Sequence, residues 1–481
     1  MITAVLFDLD NTIANTDSLK VIRETGMYDL LTEKKLSNIS IYPECLELLN
    51  VLVEKKIKLG VVTNSGRRYA EKILAHLNLD IFETVVTYTD VKAEGMKPSP
   101  EGINLALRAL KLKAGDDIFY VGDDYIDIVA AYRAGVQPIV PGWGNGKPIS
   151  QMPAAVMTAK HLIDELDTPE EIKLIAEKCA ELSTFNFMKK RLYFAPLDLS
   201  SNVVTLRDDL KVLCFGRYFS QKSLITSRLH DAHKLSLDIF KKELDPNFTA
   251  PEYWVELFAH CVEKIPEYIF KKKKHFDIIT VIPAKQEKFK RLEEMLGRVE
   301  AATSCESEFI DDILWFIEGA NSLKTLPLEG RSAEISETLQ INQERLDDIR
   351  GKTILVIDDV MTTGATFARA YELLMSHGAS QVIGVTLAKT VSITDTQKEC
   401  PACGRTMRIN KNKATNIRFW GCTGYNDEIN KCKHSEPIEV KKCPKCARSM
   451  HRKMNKRKNK PFLSCEGWNM DPKCSYSENI N

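Results

Sequence analysis

Residues 351–388 read GKTILVIDDVMTTGATFARAYELLMSHGASQVIGVTLA. An apolar run ends in Asp358 and Asp359, a short hydroxyl-rich loop follows, then an amphipathic stretch, then a second apolar run. Strand, loop, helix and strand in that order make a βαβ unit, which predicts a parallel sheet for this part of the chain. Its first turn sets two carboxylates ahead of Thr362, Thr363, Gly364, Ala365 and Thr366. Open α/β sheets bind their ligands at this end of the strands.

Two chemistries compete for that turn. A P-loop nucleotidase also ends a strand in acids, but it needs GxxxxGK[ST]. The nearest approach, GWGNGKPIS at 142–150, has the wrong spacing and lies outside the unit. A phosphorylated ribose satisfies both halves of the motif. Carboxylates suit the ring hydroxyls, and a loop that opens a helix offers N–H groups and hydroxyls to a 5-phosphate. Gly364 lets the backbone close on the anion.

The stretch resembles the signature of type I phosphoribosyltransferases, which use phosphoribosyl pyrophosphate (PRPP). That resemblance implies displacement at ribose C1, with Mg²⁺ and cationic side chains stabilising the departing pyrophosphate. Carried onto VIPAK at 281–285, it makes Lys285 a pyrophosphate contact. Residues 277–342 are similar to the competence-type branch, whose members often carry zinc ribbons, and Lys324 and Arg331 would then lie on a loop covering pyrophosphate. The acceptor base would be read partly by residues 186–235. His230 and His233 there read as a polar helix face, since no third metal ligand accompanies them.

Working toward the N-terminus, four more segments carry phosphate chemistry. AVLFDLDNT (4–12) reads as a buried strand ending in Asp8, Asp10 and Thr12. LGVVTNSG (59–66) ends in Thr63 and Asn64, and GMKPSPEG (95–102) presents Lys97. FYVGDDYIDIVAAYRAG (119–135) ends a strand in Asp123 and Asp124, with Asp127 one helical turn on. Together they supply a carboxylate nucleophile, oxygen ligands for Mg²⁺, a hydroxyl and an ammonium for the moving oxygens, and a second acid for the leaving group. Order and spacing resemble the haloacid dehalogenase superfamily of phosphatases. The resemblance implies Asp8 as nucleophile, Asp10 as general acid/base, and Thr63, Asn64 and Lys97 on the phosphoryl group. Asp8, Asp10 (through its carbonyl), Asp123 and Asp127 would serve Mg²⁺. An aspartate in the second motif position favours a phosphatase over a dehalogenase. Only about thirty residues separate the first motif from IYPECLELLNVL (41–52), too few for a full helical cap.

The other end of the chain is a repeat. CPACGRTMRINKNKATNIRFWGC (400–422) and CPKCARSMHRKMNKRKNKPFLSC (443–465) align without a gap at an offset of 43. Cys400, Cys403, Cys422 and Cys432 follow C-x2-C-x18-C-x9-C, and Cys443, Cys446, Cys465 and Cys474 follow C-x2-C-x18-C-x8-C. Four thiolates in two close pairs are the ligand set of structural Zn²⁺, and segments this short need the metal to fold. Both repeats resemble the C-terminal zinc ribbons of type IA topoisomerases. That likeness implies single-stranded nucleic acid as partner, with Phe419, Trp420, Phe462 and Trp468 as stacking residues among the lysines.

Composition agrees with several domains. The chain has 481 residues, 44% of them hydrophobic and 28% charged. From Lys398 onward, 19 Lys and Arg face 8 Asp and Glu, while the whole chain nets +1, so a basic tail follows an acidic body. Eight of the thirteen cysteines fall in the last 82 residues; the other five, Cys45, Cys179, Cys214, Cys261 and Cys305, read as reduced core or surface residues. No run approaches the ~20 apolar residues of a membrane span, and the N-terminus enters a strand directly, so a cytoplasmic protein is expected. The expected architecture is α/β multidomain: a Rossmann-like hydrolase (1–160), a linker helix (161–184) signalled by TPEE at 168–171, a phosphoribosyltransferase (185–395) and ribbons at 398–437 and 440–481. Two functions fit: a bifunctional enzyme of nucleotide metabolism, or a nucleic-acid-binding regulator whose transferase domain senses PRPP or nucleotides without turnover.

Overall fold

The computed structural model describes residues 1–144, 147–182, 184–187, 191–200, 202–204, 211–269, 275–285, 288–317, 335, 337–394, 398–412, 414–415, 417–427, 431–455, 457 and 460–479. Lys324 and Arg331 lie outside them. Within the described residues the chain forms two compact units. One comprises Met1–Phe219 with His230–Val391, the other Ser220–Leu229 with Ser392–Asn481.

The first unit is built on two large sheets. The N-terminal sheet has six parallel strands in the order 84–86, 58–62, 4–7, 118–121, 137–141, 155–157. Its central strand, Ala4–Phe7, is buried at every position, as a parallel strand covered on both faces must be. The helix Pro43–Glu54 starts with proline at its first position and buries Cys45, Leu48, Leu49 and Leu52, an i, i+3, i+4, i+7 stripe. Between the first strand and that helix the short cap takes shape. A two-residue strand pair, Ala14–Asn15 with Ser40–Ile41, closes its base, and the helices Lys20–Thr25 and Glu33–Leu36 form its body around buried Leu19, Ile22, Leu31 and Leu36.

The second sheet orders its strands 308–309, 278–281, 353–361, 381–391, 212–214, 195–197, with 217–219 also pairing on 381–391. All pairs are parallel except the last, 195–197 on 212–214. The run 211–219, which looks like one strand, breaks into Val212–Cys214 and Arg217–Phe219 around Gly216. The βαβ unit of the opening motif is present as strand Thr353–Met361, helix Ala365–Ser376 and strand Gln381–Val391.

The expected linker helix differs. Residues 161–184 contain the end of helix Ala159–Asp164, a 3₁₀ turn at Pro169–Glu171 and a separate helix, Ile175–Glu181. Ile172, Leu174 and Ile175 are all buried. In a continuous helix Leu174 would sit well off the face that Ile172 and Ile175 share, and its extended backbone turns it inward with them. The last helix is not a linker at all: Ile175, Ala176, Cys179 and Ala180 share one core with Phe215, Trp254 and Leu355 of the second sheet domain.

A buried polar contact joins the two sheets. Arg217 donates from Nε and Nη2 to the Glu177 carboxylate, both at 2.8 Å, and from Nη1 to the hydroxyl of Tyr132 at 3.1 Å. Tyr132 in turn donates to the carbonyl of Met152. Arg217 and Glu177 are 6% and 2% exposed. Burial works against ionisation of Glu177, but Arg217 and His233 hold its carboxyl well below the usual range. Lys389 adds a bond to the carbonyl of Ser150, and Ile149 bridges Val203.

The second unit contains two four-stranded antiparallel sheets, 398–399, 406–411, 418–422, 435–437 and 439–442, 449–455, 460–465, 477–479. No described helix is long and apolar enough to cross a membrane.

Candidate active sites

Three adjacent parallel strands of the first sheet end beside one another and deliver the first site. Asp8 follows Ala4–Phe7 and its amide bonds Val121; Thr63 follows Lys58–Val62; Gly122 and Asp123 follow Ile118–Val121. Lys97 sits at the centre, only 6% exposed. Its ammonium donates to Asp8 at 2.7 Å, to Asp127 at 2.7 Å and to the Tyr120 hydroxyl at 3.0 Å. Asp127 comes from the first turn of helix Tyr125–Ala134 and also caps the amide of Asp124. A Cβ on Gly122 would lie 2.4 Å from the Asp127 Cγ, so this approach needs glycine.

Carboxylate oxygens of Asp8, Asp123 and Asp127 lie within 4.8 Å of one another. Burial, opposed by Lys97 and reinforced by Asp127 and Asp10, pushes Asp8 up to about 7. Burial and the charge of Asp8 push Asp123 up to about 6 despite Lys147. Lys97 itself stays well above its ordinary value: burial pulls it down, and Asp127 and Asp8 override that. Three crowded hard oxygen donors with one internal ammonium fit a divalent cation such as Mg²⁺. The Asp10 side chain is not in this group.

Instead, the Asp10 carboxylate accepts four side-chain donors: Thr16 at 2.7 Å, Tyr69 at 2.8 Å, Arg23 at 2.9 Å and Ser65 at 2.6 Å. Arg23 belongs to the cap helix Lys20–Thr25. Asn64, expected on substrate, has its amide engaged with the Lys97 backbone, accepting from N at 2.8 Å and donating to O at 3.0 Å. It positions Lys97. A cavity of about 600 Å³ opens over these groups, lined by Asp8, Asp10, Thr63, Lys97 and, from the cap, Arg23 and Tyr28.

The second site forms where Thr353–Met361 ends between its two parallel neighbours. Strand alternation sends Asp358 and Asp359 to opposite sides. Asp358 lines a cavity of about 770 Å³ with Lys242, Lys285, Lys288 and Arg291. Asp359 is 4% exposed and paired with Lys242 at 3.0 Å and with Arg291. Burial raises Asp358 to about 7 with help from Asp359, whereas Lys242 and Arg291 overcome burial to hold Asp359 well below the carboxylate range. The two carboxylates expected to hold one ribose are therefore in different settings. The loop 362–364 leads to Gly364 at φ +76°, a left-handed cap that L side chains resist, and Ala365 and Thr366 open the twelve-residue helix. Lys285 stands 5.2 Å from the Phe316 ring, and the adjacent Ala284 amide donates to Glu293 at 2.7 Å.

In the second unit the eight tail cysteines gather into two groups of four, each with sulfurs within 4.8 Å of one another. Sγ separations of 3.7 Å (Cys400–Cys432, Cys443–Cys474) and 3.4 Å (Cys403–Cys422, Cys446–Cys465) approach the ~3.8 Å edge of a tetrahedron with ~2.3 Å Zn–S bonds. The Gly424 and Gly467 amides donate to Cys422 and Cys465 at 3.3 Å. Zinc fits both donor sets. Trp420 packs on the cysteine core of its ribbon, and Phe419 and Phe462 are half-buried. Of the four aromatics expected to stack, only Trp468 is openly exposed; Tyr425, absent from the expectation, holds the equivalent place at the repeat offset of 43. Lys473 lies 5.3 Å from the Trp468 ring and Lys431 5.4 Å from that of Tyr425. His230 bonds the Phe219 carbonyl and His233 bonds Ser236, and neither falls in a ligand cluster among the described residues.

Comparison with known families matches residues 19–140 to haloacid dehalogenase-like hydrolases, 325–417 to the phosphoribosyl transferase domain, and 397–439 and 440–481 to the topoisomerase DNA binding C4 zinc finger. The chain joins a hydrolase domain, a phosphoribosyltransferase domain and two C4 zinc ribbons, in that order. The first match begins after Asp8 and Asp10, and the second after Lys285. The hydrolase domain is 28% identical over 184 residues to the pyrophosphatase PpaX of Bacillus cereus (strain ATCC 10987 / NRS 248) and to that of Bacillus thuringiensis (strain Al Hakam), each match covering 30% of this chain and 84% of the relative. Among solved structures, a hydrolase of the same superfamily from Ehrlichia chaffeensis matches at 22% identity and TM-score 0.27, covering 35% of this chain and 98% of its own. A phosphatase from Thermococcus onnurineus matches at 23% and 0.25, covering 29% and 86%.

Proposed function

We propose that the chain is a bifunctional, cytoplasmic enzyme of nucleotide metabolism, a Mg²⁺-dependent phosphohydrolase joined to a PRPP-dependent transferase and tethered to nucleic acid by its ribbons. The observation that carries the hydrolase half is Lys97 bonded to Asp8 and Asp127 beside Asp123. In this reading Asp8 attacks phosphorus and forms an aspartyl-phosphate, which water then hydrolyses. Thr63 and Lys97 hold the transferring oxygens, and Asp10 exchanges a proton with the leaving group and then with water. Mg²⁺, held by Asp8, Asp123, Asp127 and the Asp10 carbonyl, would offset the repulsion between carboxylate and phosphate.

In the transferase half, Asp358 and the loop Thr362–Thr366 bind the ribose and its 5-phosphate, and Lys285 faces pyrophosphate. Charge-assisted hydrogen bonds contribute roughly 1.5–3 kcal/mol each. Replacing both Asp358 and Asp359 with Asn is expected to weaken PRPP binding at least tenfold by calorimetry. Asp358→Asn alone is the cleaner probe, because Asp359 also neutralises Lys242 and Arg291. Unchanged affinity in both variants would remove the assignment. Incubation with labelled PRPP and a panel of bases separates enzyme from sensor: turnover supports transfer, and tight binding without turnover supports a regulator.

For the ribbons, a chain ending before Lys398 is expected to keep hydrolase activity and lose salt-sensitive binding to single-stranded oligonucleotides. Stacking on an exposed ring is worth about 1–3 kcal/mol per base, so Tyr425→Ala and Trp468→Ala should each weaken that binding several-fold or more. If the full chain fails to bind oligonucleotides at low salt, the ribbons dock protein instead.

A further inference from the structure

The acid that serves the leaving group carries a cation from the cap. Arg23 reaches 2.9 Å from Asp10, its guanidinium also contacts the Thr16 hydroxyl at 3.3 Å, and its side chain is 20% exposed, toward the cavity. Asp10 already has three hydroxyl donors, from Thr16, Ser65 and Tyr69, so holding its orientation does not require a fourth. With Asp10 serving the leaving group, a guanidinium bonded to Asp10 lies beside the group that departs. A nucleoside alcohol offers it no charge to pair with. A phosphate or carboxylate leaving group does, and a planar fork of N–H donors matches either.

We propose that Arg23 is the specificity residue of the hydrolase site and selects substrates whose leaving group is itself an anion, with inorganic pyrophosphate the one the same chain would generate. The proposal rests on the aspartyl-phosphate reading above. Transfer from PRPP releases pyrophosphate, and its hydrolysis makes a reversible transfer proceed forward. The steps balance. An Asp8 oxygen bonds to one phosphorus as the bridging P–O bond breaks, and the departing phosphate takes the bonding pair and the proton of Asp10 and pairs with Arg23. Water then bonds to the phosphorus on Asp8, that P–O bond returns its pair to the carboxylate, and the water's proton passes to Asp10. One pyrophosphate and one water give two phosphates.

The test uses the full chain with Mg²⁺ and three substrates: inorganic pyrophosphate, a nucleoside 5′-monophosphate and p-nitrophenyl phosphate. Wild type is expected to show kcat/KM for pyrophosphate at least tenfold above that for the nucleoside monophosphate. Arg23→Ala should lower the ratio of pyrophosphate to p-nitrophenyl phosphate kcat/KM at least tenfold, and Arg23→Lys should recover part of it. A merely structural role through Asp10 predicts equal losses on all three substrates, and that result overturns the proposal. So does a wild type that prefers the nucleoside monophosphate, which leaves the hydrolase reading standing. A folded wild type inactive on all three removes both.

Discussion

Asp8→Asn is expected to lower phosphate release by at least about a thousandfold, the scale on which enzymes respond to loss of a nucleophile. The substitution keeps the shape of the side chain and removes the oxygen nucleophile's charge. Lys97 retains Asp127 and the Tyr120 hydroxyl as partners, so the buried ammonium is not stranded. The variant should therefore fold, keep its thermal transition close to wild type and bind PRPP as before, with stopped chemistry only at the first site. Initial rates of phosphate release, measured beside far-UV circular dichroism, check both halves. Residual activity within tenfold of wild type would assign the nucleophile elsewhere.

Zinc removal should produce the second large effect. The two four-cysteine groups predict two zinc ions per chain by elemental analysis. Structural Zn²⁺ in small domains contributes about 10–16 kcal/mol of apparent binding free energy, as much as or more than the ~5–15 kcal/mol that stabilises a whole folded domain. Each ribbon core is little more than the cysteines with Met407 and Trp420, or with Met450, Leu463 and Tyr476. Chelation, or Ser at Cys400/Cys403 and Cys443/Cys446 together, should unfold both ribbons while hydrolase activity persists. A well-folded tail holding fewer than two zinc ions with reduced thiols would contradict the ligand assignment.

What could be read in the sequence depended on how far apart the partners lie. Asp8, Thr63, Asp123 and Asp127 each follow a strand or open a helix and Lys97 sits in a short turn between two helices, all in local patterns, and the structure brings the five to one cavity. The cysteine spacings told of their own clusters. The partners of Asp10 and Asp359 were not legible. Arg23 reads as one more charge on a short cap helix, and Lys242 and Arg291 reach Asp359 from 117 and 68 residues away. Adjacency to Thr63 suggests a substrate contact for Asn64, and the bond of its amide to the Lys97 backbone was not legible. Tyr425 could have been found, since the repeat offset pairs it with Trp468, but identity between the repeats hides an exchange of one aromatic for another.

The pairing of Arg217 with Glu177 and Tyr132 bears on how such a chain can be taken apart. A gene cut at residue 185, the boundary expected from the sequence, would leave Glu177 on one polypeptide and Arg217 on the other. Removing one partner of a buried ion pair costs about 3–5 kcal/mol, enough to ruin a modest fragment. Tyr132 shares its helix with Asp127, so a foreign hydrolase grafted in front of this transferase would need its own hydroxyl at that place. The two sheet domains have to be inherited together.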